Sequence, residues 1–217
     1  MTGSRKLRLG VLISGSGSNL QSIIDKLHQG PAEIEVALVI SDNNKARGLS
    51  RAAEAGIPTA VFPMIEFEER VEHDEAMAAE LERHDVDLVV LAGYMMLVTR
   101  GLLDSFPNRV INLHPSLLPS FPGATPIEDT LDYGARVTGV TVHFVDEGAD
   151  TGPIILQEPV EIKYNDTVDS LRNRIHEVEH RLLPQAIELI ASGRVGFDSE
   201  NPRRVIVTSM PQPGRKS

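Results

Sequence analysis

Residues 110–123 read VINLHPSLLPSFPG and predict the carboxyl end of a buried strand. A short apolar run leads to Asn112 and His114, which lie two residues apart and therefore point to the same face of a strand. Pro115 favours extended backbone at the preceding residue, so the strand is expected to continue to His114. Open α/β sheets bind ligands at the carboxyl ends of their strands. We therefore expect Asn112 and His114 side by side in a binding crevice.

This pair of side chains offers specific chemistry. Asn112 can donate a hydrogen bond to an oxygen that gains negative charge, and His114 can move a proton near neutral pH. A lone histidine is more often a structural group whose nitrogens are satisfied in the core. Asp150 favours the chemical interpretation, because it lies in an acidic loop after an apolar strand in residues 143–152, HFVDEGADTG. A carboxylate there can orient or charge-stabilise an imidazole.

A second motif lies near the start of the chain. Residues 7–13 (LRLGVLI) predict a buried strand, and SGSGSN at 14–19 leads into a helical pattern. Free amides at a helix N-terminus and small side chains admit a phosphate, so the turn predicts an anion site. The alternative is a tight turn capped by Ser18 or Asn19. Leu20 replaces the third glycine of a dinucleotide fingerprint, and no Gly-Lys-Ser/Thr follows, so a phosphate monoester fits better.

Alternating strands and helices over the first 110 residues predict a doubly wound, mostly parallel α/β sheet with right-handed crossovers. Closely spaced strands at 137–145 and 153–162 predict an antiparallel addition to this sheet. Thr167 is expected to cap a long final helix over 168–191. We expect a single domain over residues 1–195 and a C-terminal tail, 196–217, that is loosely ordered or forms an edge strand.

The composition excludes several classes of protein. The 217 residues are 41% hydrophobic, enough for the core of one domain. The net charge of −10 argues against nucleic acid or an anionic membrane as a partner. The absence of cysteine excludes disulfides, thiolate catalysis and cysteine-ligated metal sites. Since no apolar run approaches 18 residues and no signal-like start is present, we expect a soluble, cytoplasmic protein with small-molecule substrates.

Four motifs, ISGSGSN, LAGYMMLV, NLHPSLLPSFPG and HFVDEGADTGPI, occur in this order. With them the sequence resembles the formyltransferase family from about residue 7 to residue 195, and most closely its branch that acts on glycinamide ribonucleotide in purine biosynthesis. The resemblance implies a Rossmann-like formyltransferase fold and transfer of a formyl group from 10-formyltetrahydrofolate to a primary amine, without a metal. It leaves open whether the protein is a monomer or a homodimer.

The resemblance also implies roles for individual residues. The residues that match the catalytic positions are Asn112, His114 and Asp150. Those that match the loop holding the substrate phosphate are Gly17, Ser18 and Asn19, and Glu179 matches a substrate-contacting glutamate on the last helix. Those that match the folate pocket are Arg70, Met95, Met96, Leu97, Val98, Asp146, Glu147, Gly148 and Ala149. Without the resemblance, Arg70 reads as a surface residue of a charged helix.

Two departures from the family pattern bear on the substrates. Thr125 and Ile127 replace histidines that many members carry after Pro-Gly, and the stretch resembles methionyl-tRNA formyltransferases instead. Met96 stands where many relatives carry a basic residue. A methionyl-tRNA enzyme should have a further tRNA-binding domain and a basic surface, which we do not expect in this short, acidic chain. Three alternatives stay open: a hydrolase of the same donor, a transferase acting on a sugar-nucleotide amine, and a non-catalytic module that binds a phosphate ligand.

Overall fold

The computed structural model describes residues 5–28, 30 and 33–208. Its strands are β1 (Leu7–Ile13), β2 (Ile34–Ser41), β3 (Thr59–Val61), β4 (Leu88–Leu91), β5 (Val110–His114), β6 (Val137–Phe144), β7 (Ile154–Glu161), β8 (Val195–Phe197) and β9 (Val205–Val207). Its helices are α1 (Ser18–Lys26), α2 (Arg47–Glu54), α3 (Arg70–Arg83), α4 (Arg100–Leu103), α5 (Pro126–Tyr133) and α6 (Val168–Ala191).

The first seven strands form one sheet in the order β3-β2-β1-β4-β5-β6-β7. The pairs from β3 to β5 are all parallel, whereas β6 and β7 are antiparallel to their neighbours. The predicted doubly wound sheet, its antiparallel addition and the long final helix are therefore confirmed. From β1 to β3 each new strand is added toward one edge of the sheet, and from β4 onward toward the other edge. The strand order therefore reverses between β1 and β4, and this switch point creates a crevice at the carboxyl ends of the two strands.

Both faces of the sheet are covered, which explains why its strands are almost continuously apolar. Neighbouring residues of β1 alternate between two core clusters, with Val11 in one and Leu12 in the other. The Val11 cluster includes residues of α1 and α6, and the Leu12 cluster includes residues of α3 and α4. The sheet thus packs between two helical layers, and this packing positions the carboxyl ends of its strands.

Strand β5 extends to His114, as its proline-limited end predicts. Asn112 pairs with Leu91 of β4 on one side and with His143 of β6 on the other. Its side chain is therefore presented near the middle of the sheet, at the crevice.

Side-chain contacts set the starts of two helices. Helix α3 begins at Arg70, where the backbone N–H of Glu69 donates to the Glu72 carboxylate at 3.4 Å. Helix α4 was not predicted. It is a single turn started by Thr99, whose hydroxyl accepts the N–H of Gly101 at 3.3 Å, and it is too short to produce a periodic apolar pattern.

The last described residues form an antiparallel hairpin of β8 and β9. The ring of Phe197 lies 4.8 Å from that of Phe144, between centroids, and Arg203 donates to the carbonyl oxygen of Thr151 at 2.6 Å. Residues 1–4 of the predicted domain and residues 209–217 of the predicted tail lie outside the described part of the chain. No described helix has both the length and the apolar character needed to cross a bilayer.

Candidate active site

A cavity of about 560 Å³ lies outside the carboxyl ends of β1, β4 and β5. It is lined by residues 15–19, 91–98, 112–115 and 123–128, by parts of 143–150, and by three residues of α6. The predicted phosphate, catalytic and folate segments therefore meet at one place. Two predicted site residues, Arg70 and Glu147, do not line this cavity.

One end of the cavity is formed by the start of α1. Gly17 precedes α1 and has left-handed backbone (φ 69°). No side chain caps the start of the helix, so the alternative of a turn capped by Ser18 or Asn19 is wrong. The first amides of a helix have no partner within it and carry a partial positive charge. This end of the cavity can therefore accept an anion such as a phosphate.

Helix α2 supports the loop before α1 from behind. A Cβ on Gly17 would lie 2.5 Å from Cα of Gly48, so the two glycines allow the backbones to touch. The N–H of Gly48 donates to the carbonyl oxygen of Gly15 at 3.1 Å, and Nε of Arg51 donates to that of Ser16 at 3.0 Å. Neither Gly48 nor Arg51 was predicted from the sequence as part of the site, because each acts through main-chain contacts.

In the middle of the cavity, Asp150 contacts both predicted partners. Its Oδ1 accepts from Nδ2 of Asn112 at 3.3 Å, and its Oδ2 lies 3.4 Å from Nδ1 of His114. Nε2 of His114 lies 2.9 Å from the carbonyl oxygen of Phe121. A protonated His114 ring satisfies both acceptors at once, whereas a neutral ring satisfies only one. The cluster thus places an imidazole, an amide and a carboxylate side by side at one point of the cavity.

The ionised form of Asp150 is favoured in the folded protein. Burial raises the pKa of this carboxyl, but hydrogen bonding by His143, the N–H of Gly123 and the charge of His114 outweigh it, so that the pKa lies below its ordinary value. The Gly123 N–H donates to Oδ2 at 2.9 Å. Asp150 itself has left-handed backbone (φ 55°), a conformation that Asp tolerates better than most residues.

His143 is a residue that the sequence did not assign to the site. It lies opposite Asn112 in the β5–β6 register and is almost fully buried. Its Nδ1 lies 2.7 Å from the carbonyl oxygen of Phe144, and its Nε2 lies 3.3 Å from Nδ2 of Asn112 and 3.7 Å from Oδ1 of Asp150. His143 therefore helps to orient the Asn112 amide. Only the strand register, which the sequence does not contain, could have revealed it.

The predicted folate residues surround the far end of the cavity. Met95 and Leu97 are two-thirds exposed, and Val98 is buried. Asp146 is occupied within its own loop, where its Oδ1 accepts the N–H of Gly148 at 3.1 Å and the hydroxyl of Thr151 at 2.5 Å. This end is an apolar slot with main-chain groups at its edges, which suits a flat heterocycle.

Arg70 and Glu147 lie beside this slot and not in it. The guanidinium of Arg70 donates to the carbonyl oxygen of Leu97 from Nε at 3.0 Å and from Nη2 at 2.7 Å. Glu147 pairs with Arg100 at 2.8 Å, and both side chains are exposed. Gly148 and Ala149, by contrast, line the cavity as expected from the resemblance.

Glu179 faces the cavity from α6, next to the start of α1. Its side chain is almost fully buried, and its Oε2 accepts from Nδ2 of Asn19 at 3.1 Å and lies 2.7 Å from Nδ1 of His176. The hydrogen bond to Glu179 raises the pKa of His176 above its ordinary value. Oδ1 of Asn19 is buried and has no hydrogen-bond partner among the described residues. The Glu179 carboxylate lines the cavity and can accept hydroxyl donors of a ligand.

The described residues contain no group of three or more His, Cys, Asp or Glu side chains placed to hold a metal ion.

The sequence matches the formyl transferase family over residues 7–187. The human trifunctional purine biosynthetic protein adenosine-3 is 44% identical over 191 residues, which are 88% of this chain and 19% of that protein. The chain thus spans about a fifth of that relative's length. The phosphoribosylglycinamide formyltransferase of Bacillus subtilis (strain 168) is 39% identical over 181 residues, 83% of this chain and 93% of that protein.

A solved structure agrees with these relatives. The crystal structure of glycinamide ribonucleotide transformylase 1 from Symbiobacterium toebii is similar with a TM-score of 0.91 and 46% identity, covering 96% of this chain and all of that one. The chain belongs to the formyl transferase family. The family predicted from its four motifs is therefore confirmed.

Proposed function

We propose that this protein transfers the formyl group of 10-formyltetrahydrofolate to the primary amine of 5-phosphoribosylglycinamide, a step of purine biosynthesis. The observation that carries the proposal is the position of Asp150 between Asn112 and His114, in a cavity that joins an anion-binding helix end to an apolar slot. Relatives named phosphoribosylglycinamide formyltransferase, similar over most of both chains, support the same acceptor.

The substrates lie at opposite ends of the cavity in this proposal. The acceptor phosphate binds the amides at residues 17–19, and its ribose hydroxyls reach Glu179. The pteridine ring of the donor enters the slot formed by residues 95–98 and 148–149. This arrangement brings the amine and the formyl carbon together beside Asn112, which converts a bimolecular step into an effectively unimolecular one.

The reaction needs no nucleophilic side chain, because the acceptor amine attacks the formyl carbon itself. A C–N bond forms, and the carbonyl oxygen becomes an oxyanion that the Asn112 amide and protonated His114 stabilise. The tetrahedral intermediate then breaks its bond to N10 of the folate. The amine loses one proton and N10 gains one, directly or through water, while Asp150 stabilises the charged imidazole.

The residues after Gly123 bear on the acceptor. Ile127 is buried and packs in the core cluster, and the hydroxyl of Thr125 contacts the Asp129 carboxylate at 3.2 Å. Neither provides an imidazole to the cavity. Recognition of the acceptor in our proposal therefore depends on residues 17–19 and on Glu179.

The test is the consumption of 10-formyltetrahydrofolate by the purified protein, followed with and without 5-phosphoribosylglycinamide. The proposal predicts consumption only when the ribonucleotide is present. Consumption without it identifies a hydrolase, and consumption that requires a sugar-nucleotide amine instead identifies a different acceptor. Binding of both ligands without any turnover identifies a non-catalytic module.

A further inference from the structure

A buried carboxylate lies on α3, away from the residues proposed to react. The side chains of Asp74 and its neighbour His73 are both fully buried. Burying a carboxylate is costly unless hydrogen bonds and an opposite charge compensate. Asp74 does not line the cavity, so the chemistry at Asp150 does not explain it.

The partners of Asp74 explain its burial. Its Oδ2 accepts the backbone N–H of Thr99 at 2.5 Å, and its Oδ1 lies 3.4 Å from Nη2 of Arg70 and 3.1 Å from Nδ1 of His73. The same Arg70 guanidinium donates twice to the carbonyl oxygen of Leu97. Asp74 therefore holds the chain directly at Thr99 and, through Arg70, at Leu97.

The chain held in this way is residues 94–99, which we name the wall segment. Its residues 94–98 line the cavity. Because the Met95 and Leu97 side chains are mostly exposed, core packing of these side chains does not fix its position. Its beginning is held by Ser14, whose hydroxyl oxygen accepts the N–H of Met95 at 3.0 Å. Its end is held by the buried side chain of Val98 and by the contacts from α3 to Leu97 and Thr99.

Tyr94 adds a neutral member to this group of contacts. Its hydroxyl accepts from Nη2 of Arg70 at 3.4 Å, and burial raises the pKa of Tyr94 to about 12. The phenol therefore stays uncharged at neutral pH and does not compete with Asp74 for the charge of Arg70. Asp74 is the carboxylate that this guanidinium meets.

We propose that Asp74 is a positioning residue for the donor pocket, acting through Thr99 and Arg70 to fix the main chain of the wall segment. The inference rests on the proposed function, since it takes the wall segment as the surface that the folate ring contacts. It also gives Arg70 a definite role: this arginine acts by holding the Leu97 carbonyl.

The first test compares Asp74→Asn with wild type in steady-state kinetics. The amide keeps the shape and one acceptor oxygen but removes the charge that Arg70 compensates. We expect the KM for 10-formyltetrahydrofolate to rise about tenfold, the size of one lost charge-assisted hydrogen bond, while kcat and the KM for the ribonucleotide stay near wild type. The control is Glu82→Gln, at an exposed position of the same helix, which should change none of these. Equal changes in both KM values, or none, would overturn the inference.

Arg70→Lys provides a second variant that does not alter Asp74. Lysine keeps the positive charge but lacks the planar fork that bonds the Leu97 carbonyl twice. We expect the same selective rise in the KM for the donor. If Asp74→Asn does not fold, the donor KM of Arg70→Lys tests the inference by itself. An unchanged donor KM in that variant contradicts the role of the Asp74–Arg70 pair.

Hydrogen exchange separates this inference from the proposed function. In wild type the Thr99 amide should exchange slowly, and in Asp74→Asn the wall segment should exchange faster while β1 and β5 keep their protection. This result is independent of any substrate. A protein that shows it but transfers no formyl group would contradict the proposed function and leave the positioning role intact; unchanged exchange in the wall segment would contradict the positioning role.

Discussion

Nδ1 of His114 lies 3.4 Å from Oδ2 of Asp150, although His114 ends β5 and Asp150 follows β6. The loop after β6 folds back across the end of β5, and the left-handed backbone of Asp150 lets its carboxylate meet the strand. The same carboxylate contacts Asn112. Three side chains are thus joined into one unit, and removing any one should disturb the other two.

Asp150→Asn should lower kcat while leaving ligand binding largely intact. The amide cannot stabilise the charged imidazole of His114, so proton transfer loses its support, and we expect a fall of about 100-fold or more. The measurement is kcat together with the dissociation constant of tetrahydrofolate, by calorimetry. A variant with near wild-type kcat would contradict the proposed role of Asp150.

Asn112→Ala should lower kcat through a different interaction. It removes the amide that we propose stabilises the oxyanion, and losing one such donor typically costs about 100- to 1,000-fold in rate. Steady-state and single-turnover rates with both proposed substrates test this. Turnover close to that of wild type would remove Asn112 from the mechanism.

Gly48→Ala tests how α2 supports the turn before α1, where we propose that the substrate phosphate binds. The added Cβ would lie 2.3 Å from Cδ1 of Ile13 and 3.2 Å from Cα of Gly17, so the Ile13 side chain must move and Gly17 must give by a few tenths of an ångström. Since small misplacements at a site can be costly, we expect the KM for the ribonucleotide to rise about tenfold with the donor KM unchanged. Gly196→Ala is the control, because its Cβ would meet nothing within 4 Å. Equal effects of the two changes would argue against a specific role of Gly48.

Asp166→Asn tests an ion pair that fixes the start of α6, the helix that carries Glu179. Hydrogen bonding from Arg174, at 2.9 Å between Nη1 and Oδ1, holds the pKa of Asp166 well below its ordinary value. A lowered folded-state pKa stabilises the fold above the unfolded-state pKa, and this stabilisation is lost as the pH falls toward the folded value. Urea unfolding should show a loss of about 1 kcal/mol at neutral pH.

The pH dependence makes this prediction specific. The stability difference between wild type and Asp166→Asn should shrink as the pH falls below about 4, where the unfolded carboxyl becomes protonated. Asp132→Asn, at an exposed position of α5, is the control and should show no such trend. A difference that stays constant with pH would mean that the Arg174 contact is not its source.

The sheet and the strand that carries Asn112 and His114 could be predicted because apolar runs, prolines and glycines act locally. The sequence of residues 143–152 likewise predicted a strand followed by an acidic loop. The roles of Arg70 and Glu179 came only from the resemblance, since each is one polar residue on a helix with ordinary solvent-facing polarity. The local pattern carries no information about which of them faces the cavity.

The parts that were missed depend on contacts between distant segments. His143 lies opposite Asn112 because of the β5–β6 register, and Gly48 contacts Gly17 because α2 packs against the turn before α1. Arg70 is predicted to contact folate, and its partners in the structure include the Leu97 carbonyl and Asp74. Tertiary packing decides these relationships, and no periodicity in the chain records them.

The most direct measurement follows the formyl carbon itself. With 10-formyltetrahydrofolate labelled with carbon-13 in the formyl group, the reaction products are separated and analysed by mass spectrometry and NMR. The account predicts that wild type places the label on the amine of 5-phosphoribosylglycinamide in an amount equal to the tetrahydrofolate released, and that Asp150→Asn does so far more slowly. Label recovered as free formate, with the ribonucleotide unmodified, would contradict it.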